Sequence, residues 1–216
     1  MRIIRVLTAC LFIIATAWIA SADEELQNLV SNPDFVDSKA GWNVFAGNAA
    51  ATWEVPGKGG VGDERQCAFI EITAVDGANW YTPNLYTSKV IPLEKNTEYT
   101  CSLWARTEEG MDKDITLTIQ RGADPWTRFT QESFTIDGEW KEYWMTWTQP
   151  ETLANAWVMI HTPGSPVRVD KGKLWVDHVR VYEGEFEEDE LSQGKTVKAV
   201  DPTGKLAVAW GNVKER

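Results

Sequence analysis

Short stretches of alternating apolar and polar residues run through most of the chain, with turn-forming residues between them. In three of these stretches every second residue is apolar: Ala68, Ile70 and Ile72; Tyr99, Cys101, Leu103 and Ala105; Ile115, Leu117 and Ile119. A period of two places such residues on one face of an extended strand. Gly- and Asp-containing segments such as residues 57–63 and 122–125 supply turns. This pattern, with no apolar stripe of helical period, predicts an all-β domain, either a sandwich or a barrel.

The first 22 residues have the pattern of a secretory signal peptide. Arg2 and Arg5 precede a short apolar run, and the small residues at positions 20–22 form a cleavage site. The run is too short for a stable membrane-spanning helix. We therefore expect cleavage after Ala22, a secreted or cell-surface location, and no membrane insertion.

The composition changes after Gly184. Residues 185–216 begin with an acidic run and continue with mixed charge and few bulky apolar residues. Such a segment buries too little apolar surface to order itself. The sequence thus predicts one domain over residues 28–184 and a flexible C-terminal tail over residues 185–216. The end of the tail, residues 206–216, is mildly amphipathic, and it either docks a protein partner or frays as an ordinary chain end.

Charge excludes some partners. The chain has 21 Lys and Arg residues against 32 Asp and Glu residues, which gives a formal net charge of −11. Nucleic acids and anionic membranes attract cationic surfaces. The negative net charge therefore argues against nucleic acids and anionic membranes as partners, and it does not indicate which other partner the protein binds.

Outside the predicted signal peptide, the cysteines are Cys67 and Cys101. An oxidising compartment permits a disulfide between them. Cys101 alternates in phase with apolar residues, whereas Cys67 is out of phase with Ala68, and a disulfide requires the two Cβ atoms to face each other. The sequence leaves the paired and the free states open, and the spacing does not suggest zinc.

The inventory of reactive side chains argues against an enzyme. The chain has two histidines, His161 and His178, and no nucleophile elbow, zinc-protease motif or phosphate-binding loop. Glycoside hydrolysis needs only two carboxylates, so a small hydrolase stays as a third alternative. We predict that the protein is not an enzyme.

Two of the twelve tryptophans, Trp80 and Trp126, lie in turn-rich segments. Large aromatic residues in loops either anchor the loop or form a platform for a ligand. The side chain of Gln120 falls on the polar face of a predicted strand, and Asn84 and Arg128 lie close to the two tryptophans in the sequence. Amides and guanidinium groups form hydrogen bonds of fixed geometry with neighbouring hydroxyls. An aromatic pair beside a polar sheet face is typical of a sugar-binding cleft, with loop anchoring as the alternative.

The order of motifs resembles the carbohydrate-binding modules of families 4 and 9. The motifs are NLVSNPDF, GW, CAFIEIT, NWYTPNLYTSKVIPLEKNTEYTCSLWAR, PWTRF, EWKEYWMTW and LWVDHVRVY, and they span residues 28–183. The resemblance implies a galactose-binding-like jelly roll, that is, a two-sheet antiparallel β-sandwich, which binds polysaccharide in a cleft on one sheet. It matches Trp80 and Trp126 to aromatic positions of that cleft. The predicted ligand-binding residues are Trp80, Asn84, Gln120, Trp126 and Arg128.

The resemblance also implies a structural calcium ion as cofactor. Asp177 matches the acidic residue that the family uses in its last strand. The N-terminal acid of the family pattern is missing, because Val36 stands in its place and Pro33 replaces a glycine. Asp34 and Asp37 are the candidate substitutes, since calcium accepts carboxylates in flexible geometry, and of the two we select Asp34. The predicted metal ligands are therefore Asp177 and Asp34.

The sequence as a whole predicts a secreted, non-catalytic module that binds a polysaccharide or oligosaccharide. The alternative is a structural or adhesion domain of a cell-surface or matrix protein with a vestigial cleft. Glycan binding requires Trp80 and Trp126 to be at least partly exposed on one concave face, near Gln120. An adhesion domain would bury both tryptophans and leave an apolar patch elsewhere, and a hydrolase would place two carboxylates across the cleft.

Overall fold

The computed structural model describes residues 26–62, 65–77, 79, 81–162, 171–188 and 191. The predicted signal peptide, Trp80 and nearly all of the predicted tail lie outside these residues. None of the described segments forms a helix with the length and apolar character that a membrane-crossing helix needs.

Eleven strands make up the regular structure of the described residues. Their bounds are β1 Trp42–Phe45, β2 Ala50–Glu54, β3 Ala68–Ala74, β4 Asn84–Thr87, β5 Ile91–Leu93, β6 Glu98–Arg106, β7 Lys113–Arg121, β8 Arg128–Ile136, β9 Lys141–Thr148, β10 Leu153–His161 and β11 Gly172–Glu183. Their length and composition suit half-buried pleated strands.

The strands form two antiparallel sheets. The first sheet has the order β1-β4-β10-β7-β8, with β5 also paired to β10, and the second has the order β2-β3-β11-β6-β9. Neighbours in each sheet are mostly distant in sequence, so the chain crosses repeatedly between the two sheets. The predicted all-β, two-sheet antiparallel sandwich is confirmed.

The alternation seen in the sequence decides which side chains form the core. Ile115, Leu117 and Ile119 of β7 are buried in one hydrophobic cluster with residues of the second sheet such as Ile70 and Ile72. Burial of these aliphatic side chains contributes roughly 1.5–3 kcal/mol each.

Both described cysteines are buried free thiols. Cys101 lies in β6 with its side chain in the core, and Cys67 immediately precedes β3. Burial raises the pKa of the Cys67 thiol to about 12. The two residues therefore behave as small apolar side chains in this fold.

The outer face of the first sheet is polar and nevertheless buried. Thr116, Thr118 and Gln120 alternate with the core residues of β7, and they are almost inaccessible to solvent. Asn84 of β4 and His161 of β10 are buried beside them. Buried polar groups normally have hydrogen-bond partners, and a bound ligand can supply such partners. We therefore expect the functional site on this face.

Candidate functional site

A cleft of about 550 Å³ opens on the outer face of the first sheet. This volume is in the range of small-molecule binding sites. The described residues that line it are Phe45, Tyr81, Asn84, Tyr86, Gln120, Trp126, Arg128, Trp157, Met159 and His161. We call this the aromatic cleft.

Strand pairing assembles the floor of the aromatic cleft from distant parts of the chain. In the pairing of β10 with β7, Trp157 lies opposite Gln120. In the pairing of β10 with β4, Met159 lies opposite Tyr86, and His161 lies opposite Asn84. Side chains opposite each other in antiparallel strands stand on the same face. The floor therefore presents alternating aromatic, sulfur-containing and polar side chains.

Trp126 forms a wall of the cleft from the loop between β7 and β8. Its backbone has a φ of 55°, a left-handed conformation that costs bulky residues roughly 1–2 kcal/mol. Its N–H donates to the carbonyl of Ala123 at 2.8 Å, and the N–H of Arg121 donates to the carbonyl of Thr127 at 2.8 Å. The indole is 49% exposed. The loop thus holds a large aromatic side chain partly in solvent at the expense of backbone strain, which is characteristic of functional sites.

Three aromatic rings continue from this wall across the floor. The centroids of Trp126 and Trp157 are 5.5 Å apart, and those of Trp157 and Tyr86 are 4.9 Å apart. Each pair is tilted by 39°. The rings therefore form a curved apolar surface instead of a flat one.

Amide groups border this aromatic surface. Asn84 is 1% exposed, and its Nδ2 donates to the carbonyl of Tyr81 at 2.9 Å. Its Oδ1 is buried and has no hydrogen-bond partner among the described residues. Such an acceptor costs about 1–3 kcal/mol of desolvation. The guanidinium of Arg128 lies 5.9 Å from the centre of the Tyr81 ring, close enough for a cation–π contact.

His161 is a neutral, buried member of the cleft. Its Nδ1 lies 3.0 Å from the carbonyl oxygen of Tyr81, which makes Nδ1–H the donor. Burial lowers the pKa of His161 to about 4, and the positive charge of Arg128 acts in the same direction. The imidazole therefore positions the Tyr81 segment and carries no charge near neutral pH.

The described lining of the aromatic cleft contains no carboxylate. Glycoside hydrolases place two Asp or Glu side chains across the scissile bond. The described part of the cleft therefore supplies surfaces and hydrogen bonds for binding, and no acid–base pair.

Four of the five residues predicted as ligand-binding from the sequence line this one cleft: Asn84, Gln120, Trp126 and Arg128. Trp80 lies outside the described residues. The sequence analysis missed the aromatic floor, above all Trp157 and Tyr86. A partial signal was present, because Trp157, Met159 and His161 alternate with the core residues of β10 and so share one face of this strand, although alternation does not identify that face as the outer one.

The two predicted metal ligands lie together at the opposite sheet. Asp34, in the turn before β1, accepts hydrogen bonds from Nη2 of Arg65 and Nδ1 of His178. The carboxylate of Asp177 in β11 is fully buried, and Nε of Arg65 lies 3.9 Å from its Oδ2. Within the described residues no group of three or more His, Cys, Asp or Glu side chains is arranged to hold a metal ion. The geometry is that of an ion-pair cluster around Arg65.

The chain was compared with known families and structures. The model of a family described as a carbohydrate binding domain, with family name CBM_4_9, matches residues 27–167. This match confirms the resemblance seen in the sequence. No curated protein matches the chain.

Solved structures share the fold at low sequence identity. A structure described as "CBM4 structure and function" is 18% identical with a TM-score of 0.57, and the match covers 72% of this chain and 99% of that one. A putative sugar binding protein from Bacteroides thetaiotaomicron is 13% identical with a TM-score of 0.55, over 73% of this chain and 100% of that one. An arabinose-bound α-L-arabinofuranosidase is 12% identical with a TM-score of 0.53, over 77% of this chain and 28% of that one.

Proposed function

The chain belongs to the family of carbohydrate-binding domains of types 4 and 9, and from this premise we propose that it binds a polysaccharide or oligosaccharide in the aromatic cleft without catalysing a reaction. Residues 1–22 support a secreted or cell-surface location for this activity, because they have the pattern of a signal peptide.

One observation carries the proposal: an exposed Trp126 in a strained backbone conformation faces buried amide side chains in a single cleft. A sugar ring has apolar C–H faces and a rim of hydroxyl groups. The indole face of Trp126 and the ring of Trp157 match the apolar faces. The amide of Gln120 can donate and accept hydrogen bonds at the rim, and Asn84 offers its acceptor Oδ1.

The desolvated acceptor of Asn84 gives the ligand a specific role. Its Oδ1 is buried without a partner among the described residues. A sugar hydroxyl that donates to this oxygen would satisfy it and would recover the desolvation cost that the free protein carries. Arg128 would add a hydrogen bond at the mouth of the cleft, where its side chain is exposed.

The test is isothermal titration calorimetry of the purified protein with soluble β-glucans, xylans, mannans and pectins. We expect binding to one class, and we expect Trp126→Ala to weaken it by at least tenfold, as roughly 2 kcal/mol of lost aromatic contact would do. Trp144→Ala is the matched control. Trp144 is 44% exposed, close to the 49% of Trp126, but it lies in β9 of the second sheet and should leave the affinity unchanged.

Circular dichroism of both variants would verify that they fold. A wild-type protein that binds none of the four classes would count against the proposal and favour the structural or adhesion alternative. Equal losses in Trp126→Ala and Trp144→Ala would show that the aromatic cleft is not the binding surface.

A further inference from the structure

We infer that Arg65 is the built-in cation that joins Asp34 and Asp177, so that this domain is stabilised without the calcium ion that its family resemblance implies. Three segments meet at this cluster: the turn before β1, the loop between β2 and β3, and strand β11. The inference concerns stability, and it stands independently of which sugar is bound.

Both oxygens of the buried Asp177 carboxylate already face donors. Oδ2 accepts a hydrogen bond from the N–H of Val61 at 3.0 Å, and Oδ1 accepts one from the N–H of His178 at 2.8 Å. Nε of Arg65 adds a positive charge 3.9 Å from Oδ2. A buried carboxylate is tolerated when it is both hydrogen-bonded and paired. The contacts of Asp177 offset only part of the cost, because burial still raises the pKa of its carboxyl to about 7.

Arg65 reaches the second carboxylate with the other end of its guanidinium group. Its Nη2 donates to Oδ1 of Asp34, an oxygen that also accepts from Nδ1 of His178. One planar guanidinium therefore spans two carboxylates, a geometry that suits arginine and not lysine. Through it the loop between β2 and β3 is fastened to β11 and to the entry of the domain.

This arrangement does not fit calcium. The ion takes six to eight oxygen ligands at short distances, whereas N–H donors already contact both oxygens of Asp177 and Oδ1 of Asp34. The loop is also closed over Asp177. The N–H of Gly60 donates to the carbonyl of Arg65 at 2.9 Å, and a Cβ at Gly60 would lie only 2.6 Å from Oδ2 of Asp177.

The first experiment measures the thermal midpoint, Tm, of the purified full chain by calorimetry, with EDTA and separately with excess calcium chloride. We expect the same Tm in both, and no heat of calcium binding in a titration with the ion alone. A Tm that falls with EDTA, or a stoichiometric calcium-binding heat, would overturn the inference. This readout requires no variant to fold.

The second experiment is a double-mutant cycle of Arg65→Ala and Asp177→Asn. Arg65→Ala should lower the Tm by roughly 5–10 °C, because it leaves a buried carboxylate without its charge partner. The double variant should lose less than the sum of the single losses, because the two groups act as a pair. Lys141→Ala is the control, since Lys141 pairs with Asp137 on the exposed surface and such pairs contribute little. Additive losses would contradict the pairing of Arg65 with Asp177.

Discussion

At the scale of single residues, Thr116 and Thr118 form a natural pair for comparison. Both lie on the outer face of β7, and both are fully buried. Thr116 Oγ1 is 2.7 Å from Ser133 Oγ, whereas the Oγ1 of Thr118 has no partner among the described residues. We expect Thr118→Val to raise the free energy of unfolding by about 1 kcal/mol, because it removes a desolvated hydroxyl and keeps the branched shape.

Thr116→Val is the matched substitution. It adds the same methyl group but removes a formed hydrogen bond, so its unfolding free energy should be lower than that of Thr118→Val by about 1 kcal/mol. Urea unfolding followed by tryptophan fluorescence measures both. The reverse order would mean that the hydroxyl of Thr118 is satisfied in the folded protein. Thr118 belongs to the sheet that carries the cleft. The comparison therefore also measures how much a buried polar side chain on this face lowers the free energy of unfolding.

At the scale of strands, the two buried thiols report on the opening of the second sheet. Cys101 lies within β6, between two paired strands, and Cys67 precedes β3. Burial raises the pKa of both thiols, to about 12 for Cys67. Only the thiolate is nucleophilic, so both should stay unreactive in the native protein at mildly alkaline pH.

The measurement is the rate of thiol labelling with Ellman's reagent in the protein from residue 23 onward, from which the predicted signal peptide and its Cys10 are absent. We expect no labelling of the native protein on the time scale in which the guanidinium-unfolded chain reacts completely. Rapid labelling of one thiol without denaturant would show that its part of the sheet opens locally, by a free energy well below that of global unfolding.

Strands β7 and β10 show what the sequence could and could not predict. In β7 small polar residues alternate with isoleucine and leucine, so the sequence alone identifies both the core face and the cleft face of this strand. In β10 large residues stand on both faces, with Val158 and Ile160 in the core and Trp157 and Met159 in the cleft. Alternation alone cannot say which of these faces is the inner one.

The assembly of the cleft was also unreadable from the sequence. Trp157 lies opposite Gln120 only because β10 is inserted between β4 and β7. Strand order and register depend on the packing of the whole sandwich, and a shift of one residue would turn every side chain to the other face. The loop position of Trp126 was readable, because turn residues surround it.

At the scale of the whole molecule, the sandwich separates its two polar clusters. The aromatic cleft lies on the outer face of the first sheet, and the ion pairs of Arg65 join β11 of the second sheet to the loops beside it. The hydrophobic core between the sheets keeps the outer face of β7 and β10 in place. A rigid scaffold of this kind lets the cleft keep desolvated polar groups ready for a ligand.

The stability of the molecule should therefore depend on pH through the cleft. The pKa of His161 is lowered to about 4 in the folded state from an ordinary value of 6.5, chiefly by burial. Between these two values the unfolded chain binds a proton that the folded protein does not, so the contribution of His161 to stability falls as the pH decreases from 6.5 to 4. The loss from His161 amounts to about 3 kcal/mol. Asp177 acts in the opposite direction, because burial raises the pKa of its carboxyl to about 7 and the folded protein holds a proton there that the unfolded chain has lost.

His161→Asn keeps a donor for the carbonyl of Tyr81 and removes the titration, so urea unfolding of this variant should lack that part of the pH dependence. The difference between the unfolding free energies of the two proteins at each pH removes the contribution of the carboxylates, because these titrate in both. Parallel curves for the wild type and the variant would show that His161 does not stay neutral in the folded protein at low pH.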